Sequence, residues 1–372
     1  MGLVRFLLAA SVVIGHAPSS VLKLFPGNMA VEIFFIISGF YMSLILSSKY
    51  HVSDTRGILD FYASRFLRLW PTFLITTIFI YLLWCASYLY LGRIPTAAGD
   101  FRSLVASDAV YVLIEISNLL MIGQDVPSIF HVSDPSGVKL TFGPAETLPD
   151  GSLWLGFARN IGQAWSIGTE IWFYLLVPFL VRLPSLWLAF VAAFGLVLRV
   201  WMDARGLGVY FFFPVQLPLF IAGMLVQRSA FLTAQVGGYF CLGLVLIGAL
   251  GFGSLGNWDQ NFKWPFYFAI SGTMPALFAT TQKSSMDRKI GELSYPIYIT
   301  HMLVLSAASL VAKQIGMHVG GEVLLALVIP VSWALYIYVD GPIGRWRQRF
   351  AKPGGEKTQE ASPGAQKSSP IL

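Results

Sequence analysis

The sequence predicts an all-α protein, a polytopic transmembrane helix bundle with about ten crossings and one additional interfacial or re-entrant helix. Three observations predict this fold class. Hydrophobic residues make up 56% of the 372 positions and charged residues only 12%, with a mean hydropathy of +0.67. Apolar runs of about 20 residues, the length needed to cross a bilayer as a helix, recur along the chain. Basic residues follow several of these runs, as in loops on the cytoplasmic side of a membrane.

The apolar runs lie at 4–21, 29–48, 72–91, 104–122, 164–181, 185–201, 209–227, 236–254, 264–281, 293–315 and 321–339. The first run follows a short basic start, as in a secretory signal peptide. It lacks a small-residue cleavage site, however, and it contains Arg5 and His16. We therefore predict that it stays in the protein as the first span.

Loop charge predicts the orientation of the spans. Basic residues after the second, fifth, seventh and ninth runs include Arg56, Arg65, Arg68, Arg182, Arg228, Lys283, Arg288 and Lys289. If these face the cytoplasm together with both termini, the run at 104–122 cannot cross. That run also carries Asp108, Glu115 and Asn118. We interpret it as an interfacial or re-entrant helix within an external segment of about 92–162.

The predicted organisation is one transmembrane domain, 1–345, followed by a basic, disordered cytoplasmic tail, 346–372. From Arg345 onward the chain has six basic and two acidic residues, which accounts for most of the net charge of +6. The positive charge thus indicates an anchor at the cytoplasmic face of a membrane, with lipid and not nucleic acid as the partner. Cys85 and Cys241 lie in apolar runs and predict neither a disulfide nor a thiolate metal site.

Ionisable residues inside a span are costly and therefore indicate function. Arg5 and His16 are eleven residues apart, which places them within about 20° of the same helix face and roughly 16 Å apart along the axis. With the N-terminus inside, Arg5 lies near the cytoplasmic headgroups and His16 beyond the midplane. An anionic donor bound at Arg5 would then reach the imidazole with its reactive end. A packing role for His16 and an anchoring role for Arg5 are the alternatives.

Three further intramembrane groups are candidates. Glu32 lies near the outer end of the second span, where a carboxylate could orient the His16 imidazole. Glu170 and His301 lie in later spans and must find partners on other helices, either for catalysis or to hold helices together. Ser38 and Gly39 are expected to allow close packing of helices.

Arg65 and Arg68 lie three residues apart at the cytoplasmic end of the third span. On a helical turn such a pair projects from one side and suits a phosphate or pyrophosphate group. Positive-inside anchoring is the alternative. The five histidines show no close metal-ligand pairs, and the chain lacks Gly-x-Ser-x-Gly and Walker-type loops, so neither a zinc enzyme nor an ATPase is supported.

At these positions the chain resembles the membrane acyltransferase 3 family, whose members O-acylate surface and secreted glycans. Five patterns carry the resemblance: Arg5 with His16, Glu32 through Phe40, Arg65 with Arg68, Trp165 through Tyr174, and Ser294 through His301. They follow one another in family order from residue 5 to residue 301. The resemblance implies a stand-alone transmembrane form without the fused esterase-like domain of many relatives.

The resemblance implies transfer of an acyl group, most often acetyl, from cytoplasmic acyl-CoA to a hydroxyl of a glycan or lipid-linked glycan at the outer side. Arg65, Arg68 and Arg5 would bind the CoA phosphates. His16 would either accept the acyl group or act as general base, with Glu32 or Glu170 as the orienting carboxylate and His301 as a positioning or second acid–base group. A proton-coupled transporter or flippase using the same His and Glu residues is the alternative, and a receptor or scaffold is a third.

Overall fold

The computed structural model describes residues 1–50, 54–92, 108–132, 140–142, 153–205, 207, 210–229, 237–254, 263–314 and 316–351. Its α-helices are α1 (Gly2–His16), α2 (Gly27–Ser48), α3 (Thr55–Leu91), α4 (Asp108–Leu120), α5 (Trp165–Leu180), α6 (Ser185–Asp203), α7 (Phe213–Arg228), α8 (Gly238–Ser254), α9 (Lys263–Thr281), α10 (Ser285–Gln314), α11 (Gly321–Leu335) and α12 (Gly341–Arg347). Each predicted apolar run therefore contains a helix.

Five helical stretches are long and apolar enough to cross a membrane. They are α2, α3, α6, α10 and the stretch from Gly321 to Arg347. Other apolar helices are shorter, among them α1 with 15 residues. The predicted helical membrane protein is thus confirmed, whereas the count of about ten crossings is not. Most of the predicted cytoplasmic tail, 352–372, lies outside the described residues.

The segment between α3 and α5 differs from the rest of the chain. Helix α4 has 13 residues and spans about 20 Å at 1.5 Å per residue, less than the roughly 30 Å of a hydrocarbon core. Residues 104–107 of the predicted run lie outside the described residues, and whether the run crosses stays a prediction. The all-α prediction missed a small antiparallel sheet in the same segment, with strands β1 (Phe130–Val132), β2 (Leu140–Phe142) and β3 (Leu153–Trp154) in the order β2-β1-β3.

Helices α2 and α7 pack through glycines. A Cβ atom on Gly39 would lie 1.9 Å from the carbonyl oxygen of Phe220, and one on Gly223 would lie 2.0 Å from that of Ile36. Real side chains do not approach backbone this closely, so only glycine permits the observed helix separation. The predicted packing role of Gly39 is confirmed. Ser38 instead donates a hydrogen bond to the Glu170 carboxylate at 2.9 Å.

A second close contact joins α1 to α10. A Cβ atom on Gly2 would lie 1.7 Å from the Asp287 carbonyl oxygen. The Asp287 carboxylate accepts hydrogen bonds from the backbone amides of Gly2 at 2.7 Å and Leu3 at 2.9 Å. These amides are orphan donors at the start of a helix, and the carboxylate also complements the positive end of the helix dipole. The contact fixes the end of α1 that carries Arg5.

Replacing Gly39 with alanine is expected to lower the stability of the protein. The new methyl group would push α2 away from the Phe220 carbonyl, and overpacking of this kind costs about 1–3 kcal/mol. The control is Gly272→Ala in α9, where an added Cβ meets nothing within 4 Å. Thermal midpoints in detergent should fall for Gly39→Ala and hold or rise for Gly272→Ala; equal midpoints would show that the α2–α7 separation is not set by glycine.

Candidate active site

Two cavities lie at opposite ends of α1. The first, here the arginine cavity, has a volume of about 740 Å³ and is lined at one end of the bundle by Arg5 and Arg68. Other lining residues include Ser38, Tyr41, Lys49, Ser166, Glu170, Tyr174, Asp287, Arg288, Glu292, Tyr295 and Tyr298. Its size is that of a small-molecule site. Several cations in its wall make it suited to an anionic ligand.

The second, here the histidine cavity, has a volume of about 560 Å³ and is lined by His16 at the C-terminal end of α1. The segment before α5 contributes Trp154, Phe157, Arg159, Asn160 and Gln163, and the rest of the wall includes Trp165, Tyr210, Phe211, Tyr298 and Ser306. Aromatic faces beside amide and guanidinium groups are typical of a site for a polar ring such as a sugar. Val31 and Tyr298 line both cavities.

His16 is held through one ring nitrogen. Its Nδ1 lies 2.8 Å from the carbonyl oxygen of Val12, one turn back in α1. A carbonyl oxygen can only accept, so Nδ1 carries the proton and Nε2 of the neutral ring bears the lone pair. The side chain is exposed to the cavity. This tautomer is the one that a general base or an acyl acceptor requires.

His301 lies behind His16. The two ring centroids are 4.9 Å apart with a tilt of 53°. His301 is completely buried, donates from Nδ1 to the Tyr298 carbonyl oxygen at 2.6 Å, and its Nε2 has no hydrogen-bond partner among the described residues. The His301 ring therefore packs against the His16 imidazole. Its burial gives no support to a direct contact with a ligand, which is one of its predicted roles.

The predicted carboxylates do not reach His16. Glu32 is completely buried, with one oxygen 2.7 Å from Arg199 Nη2 and the other accepting a hydrogen bond from the Tyr267 hydroxyl at 2.5 Å. Lys263 Nζ lies 3.9 Å from the same carboxylate. Val31, its neighbour, faces the cavities, and consecutive residues of a helix point about 100° apart. The predicted pairing of Glu32 with His16 is thus replaced by an ion pair with α6.

Glu170 lies in the wall of the arginine cavity, where it accepts hydrogen bonds from Ser38 and from the Tyr174 hydroxyl. It belongs to the same cavity as Arg5 and Arg68, and the expected role of orienting His16 is not seen. Its negative charge instead offsets part of the positive charge that the two arginines bring into this wall.

The two arginines of α3 separate in the structure. Arg68 lines the arginine cavity, and its predicted binding of a phosphate stays a prediction. Arg65 is buried, with its guanidinium 5.6 Å from the Phe61 ring centroid and a hydrogen bond of 3.3 Å to Ser64. It is not among the residues that line the cavity. The 60° offset between positions three apart in a helix is enough to put the two side chains in different surroundings.

Arg159 was missed in the sequence. It lines the histidine cavity, is buried, and donates to the Gly162 carbonyl oxygen at 3.1 Å and to Ser128. Burial lowers the pKa of its guanidinium to about 10, so it stays protonated at neutral pH. Burial also raises the pKa of nearby Asp125 to about 6, with a hydrogen bond from Trp172 opposing the shift. The signal in the sequence was a lone arginine just before the Trp165–Tyr174 pattern.

No group of three or more His, Cys, Asp or Glu side chains is arranged to hold a metal ion within the part of the chain that the structure describes. The two cavities present instead the nitrogen base, the guanidinium groups and the aromatic walls described above.

Comparisons with known proteins identify the family of the chain. The family model described as an acyltransferase domain matches residues 1–338. The exopolysaccharide production protein ExoZ of Rhizobium meliloti is 23% identical over 361 residues, covering 90% of this chain and 95% of ExoZ. The O-acetyltransferase OatA of Staphylococcus aureus is 24% identical over 355 residues, covering 85% of this chain. The alignment spans about half of OatA, 52% of its length. No solved structure is significantly similar to the chain.

Proposed function

Because this chain belongs to the acyltransferase 3 family, we propose that it moves an acyl group, acetyl in the first instance, from cytoplasmic acyl-CoA to a hydroxyl of a glycan at the outer side. The observation that carries the proposal is one histidine base in the wall of a cavity that shares Val31 and Tyr298 with a second, cationic cavity. The relatives are named for exopolysaccharide production and for O-acetyl transfer, which supports a glycan acceptor and an acetyl donor.

The arginine cavity is the proposed donor site, facing the cytoplasm. Lys49, Arg68 and Arg288 in its wall are the kind of residues that stay on the cytoplasmic side of a bilayer. Arg5 and Arg68 would bind the phosphates of CoA, since guanidinium groups match phosphate geometry. The thioester end would then extend along α1 toward His16.

The histidine cavity is the proposed acceptor site, facing outward. Trp154, Trp165 and Tyr210 offer aromatic faces for a sugar ring, and Asn160 and Gln163 offer amide groups for its hydroxyls. The segment before α5 supplies several of these residues, so its variation would set which glycan is accepted. An arrangement of this kind transfers the acyl group across the membrane without moving CoA.

In the proposed reaction His16 acts as general base. Its Nε2 takes the proton of the acceptor hydroxyl while the hydroxyl oxygen attacks the thioester carbonyl carbon. The C–S bond breaks, and the CoA thiolate takes the proton from the imidazolium, giving the glycan ester and free CoA. The Val12 carbonyl holds the ring in the required tautomer throughout.

The test is release of CoA by purified protein in detergent supplied with acetyl-CoA and polysaccharide fragments, with the ester detected as a gain of one acetyl mass on the glycan. A carrier or receptor would release no CoA. The informative variant is Arg68→Ala, which should raise the KM for acetyl-CoA about tenfold, since a charge-assisted hydrogen bond contributes about 1.5 kcal/mol. Its effect on the KM for the glycan should be small.

The matched control for that variant is Arg65→Ala, three residues away but outside the cavity wall. It removes a buried cation and is expected to lower the thermal midpoint while leaving the KM for acetyl-CoA near the wild-type value. The proposed donor site would be contradicted by an unchanged KM in Arg68→Ala. It would also be contradicted by equal rises in KM in both variants.

A further inference from the structure

Two side chains separate the arginine cavity from the histidine cavity. Val31 of α2 and Tyr298 of α10 are the residues that both cavities share. Both are buried, at 5% and 8% exposure. His16 belongs to one cavity and Arg5 and Arg68 to the other, so Val31 and Tyr298 lie where the two sets of residues meet.

The Tyr298 ring is fixed at this position. Its hydroxyl lies 2.7 Å from Ser166 Oγ and 3.2 Å from the Gln163 carbonyl oxygen, and Ser166 Oγ lies 3.1 Å from that same oxygen. The Gln163 side chain in turn donates to the backbone carbonyl oxygens of Tyr298 and Ile299 at 3.1 and 2.9 Å. Hydrogen bonds at both ends of the residue hold the ring against rotation. Phe34 packs on it with ring centroids 6.4 Å apart.

We infer that Val31 and Tyr298 form a partition between the donor and acceptor sites, and that its width selects the acyl group by chain length. This inference rests on the proposed function. The partition admits the acyl end of a thioester and holds back the rest of the donor. A packed apolar wall discriminates by size, and each additional methylene in such a passage changes the rate about tenfold or more. Tyr298 is therefore assigned as a specificity-determining residue of the acyl donor.

The partition also accounts for how the thioester end of a donor in the arginine cavity would reach His16 in the histidine cavity. The arginine cavity is lined from Gly2 and Arg5 at the start of α1 to Tyr298 of α10, with Ser166 and Glu170 in the same wall. His16 lies beyond the ring, and His301, one turn along α10 from Tyr298, supports His16 from behind with its centroid 5.9 Å from the Tyr298 ring. Helix α10 thus carries both Tyr298, which limits the size of the acyl group, and His301, which packs against the base His16.

The experiment compares kcat/KM for acetyl-CoA, propionyl-CoA and butyryl-CoA in purified wild-type protein and partition variants. Tyr298→Leu and Val31→Ala should each raise the butyryl-to-acetyl ratio about tenfold or more by widening the passage. Val31→Phe should lower the rate with all three donors, butyryl most. Tyr298→Phe keeps the ring and should keep the ratio close to wild type.

The control is Leu305→Ala, which removes side-chain volume from the same helix but outside both cavities. Its butyryl-to-acetyl ratio should match that of wild type. If Tyr298→Leu fails to fold, Val31→Ala and Val31→Phe test the same passage from the opposite side. If the wild-type protein transfers acyl groups but no partition variant changes the butyryl-to-acetyl ratio, the partition is overturned and the proposed function stands. If the wild-type protein transfers an acyl group from none of the three donors, both the proposed function and this inference are overturned.

Discussion

Replacing His16 with alanine is expected to lower acyl transfer by about 10³-fold or more while leaving the protein folded. General-base catalysis by a positioned imidazole contributes about 10²–10⁴-fold, and no other nitrogen base lines the histidine cavity among the described residues. The side chain is exposed to the cavity, so its removal should change the free energy of unfolding by only about 0.5 kcal/mol. Initial rates of CoA release and thermal midpoints measure the two effects separately.

The control for this variant is His318→Ala, an exposed histidine that lines neither cavity. It should retain wild-type transfer. Mass spectrometry of protein quenched during turnover distinguishes a base from an acylated histidine, since only the latter leaves an acyl mass on the His16 peptide. Near-normal transfer by His16→Ala would end the proposed mechanism, whichever form it takes.

Much of the helical layout could be predicted from the sequence, because long apolar runs have one stable form in lipid. The separation of Arg5 and His16 along one helix was equally predictable, since both lie on α1 and a helix fixes its own geometry. The structure accordingly places them in cavities at opposite ends of that helix. The number of crossings was harder to predict, because the length of a shorter helix does not by itself show whether it crosses the membrane.

Partners on different helices could not be predicted. His301 meets His16 across 285 positions of sequence, and nothing in the local pattern of either helix indicates the other. For Glu32 the sequence suggested a wrong partner. The short connection between α1 and α2 suggested that Glu32 would lie beside His16. The actual partner depends on which face of α2 the other helices cover. Tyr298 lies inside the Ser294–His301 pattern, but its position between two cavities appears only when α2, α5 and α10 are packed.

Replacing Glu32 with alanine is expected to destabilise the protein by about 3–5 kcal/mol, because it leaves Arg199 buried without its counter-charge. Arg199 is 7% exposed, and its other side-chain contacts are Gln216 Oε1 at 3.4 Å and the Trp264 ring at 5.0 Å from the guanidinium carbon. Neither neutralises a full charge. Fluorescence-detected size exclusion after heating should show a much lower midpoint than for wild type.

The control replaces the whole pair, as Glu32→Leu with Arg199→Met. Removing Glu32 and Arg199 together leaves no unpaired guanidinium between α2 and α6, so the double variant should be more stable than Glu32→Ala. It should stay below wild type, because Lys263 and the Tyr267 hydroxyl lose the same carboxylate. Transfer per folded molecule should then persist in the double variant, because Glu32 lies outside both cavity walls. If the double variant folds normally but transfers no acyl group, Glu32 acts in the reaction as the sequence first suggested. A stable, active double variant would instead show that Glu32 serves as the counter-charge of Arg199 and takes no part in the reaction.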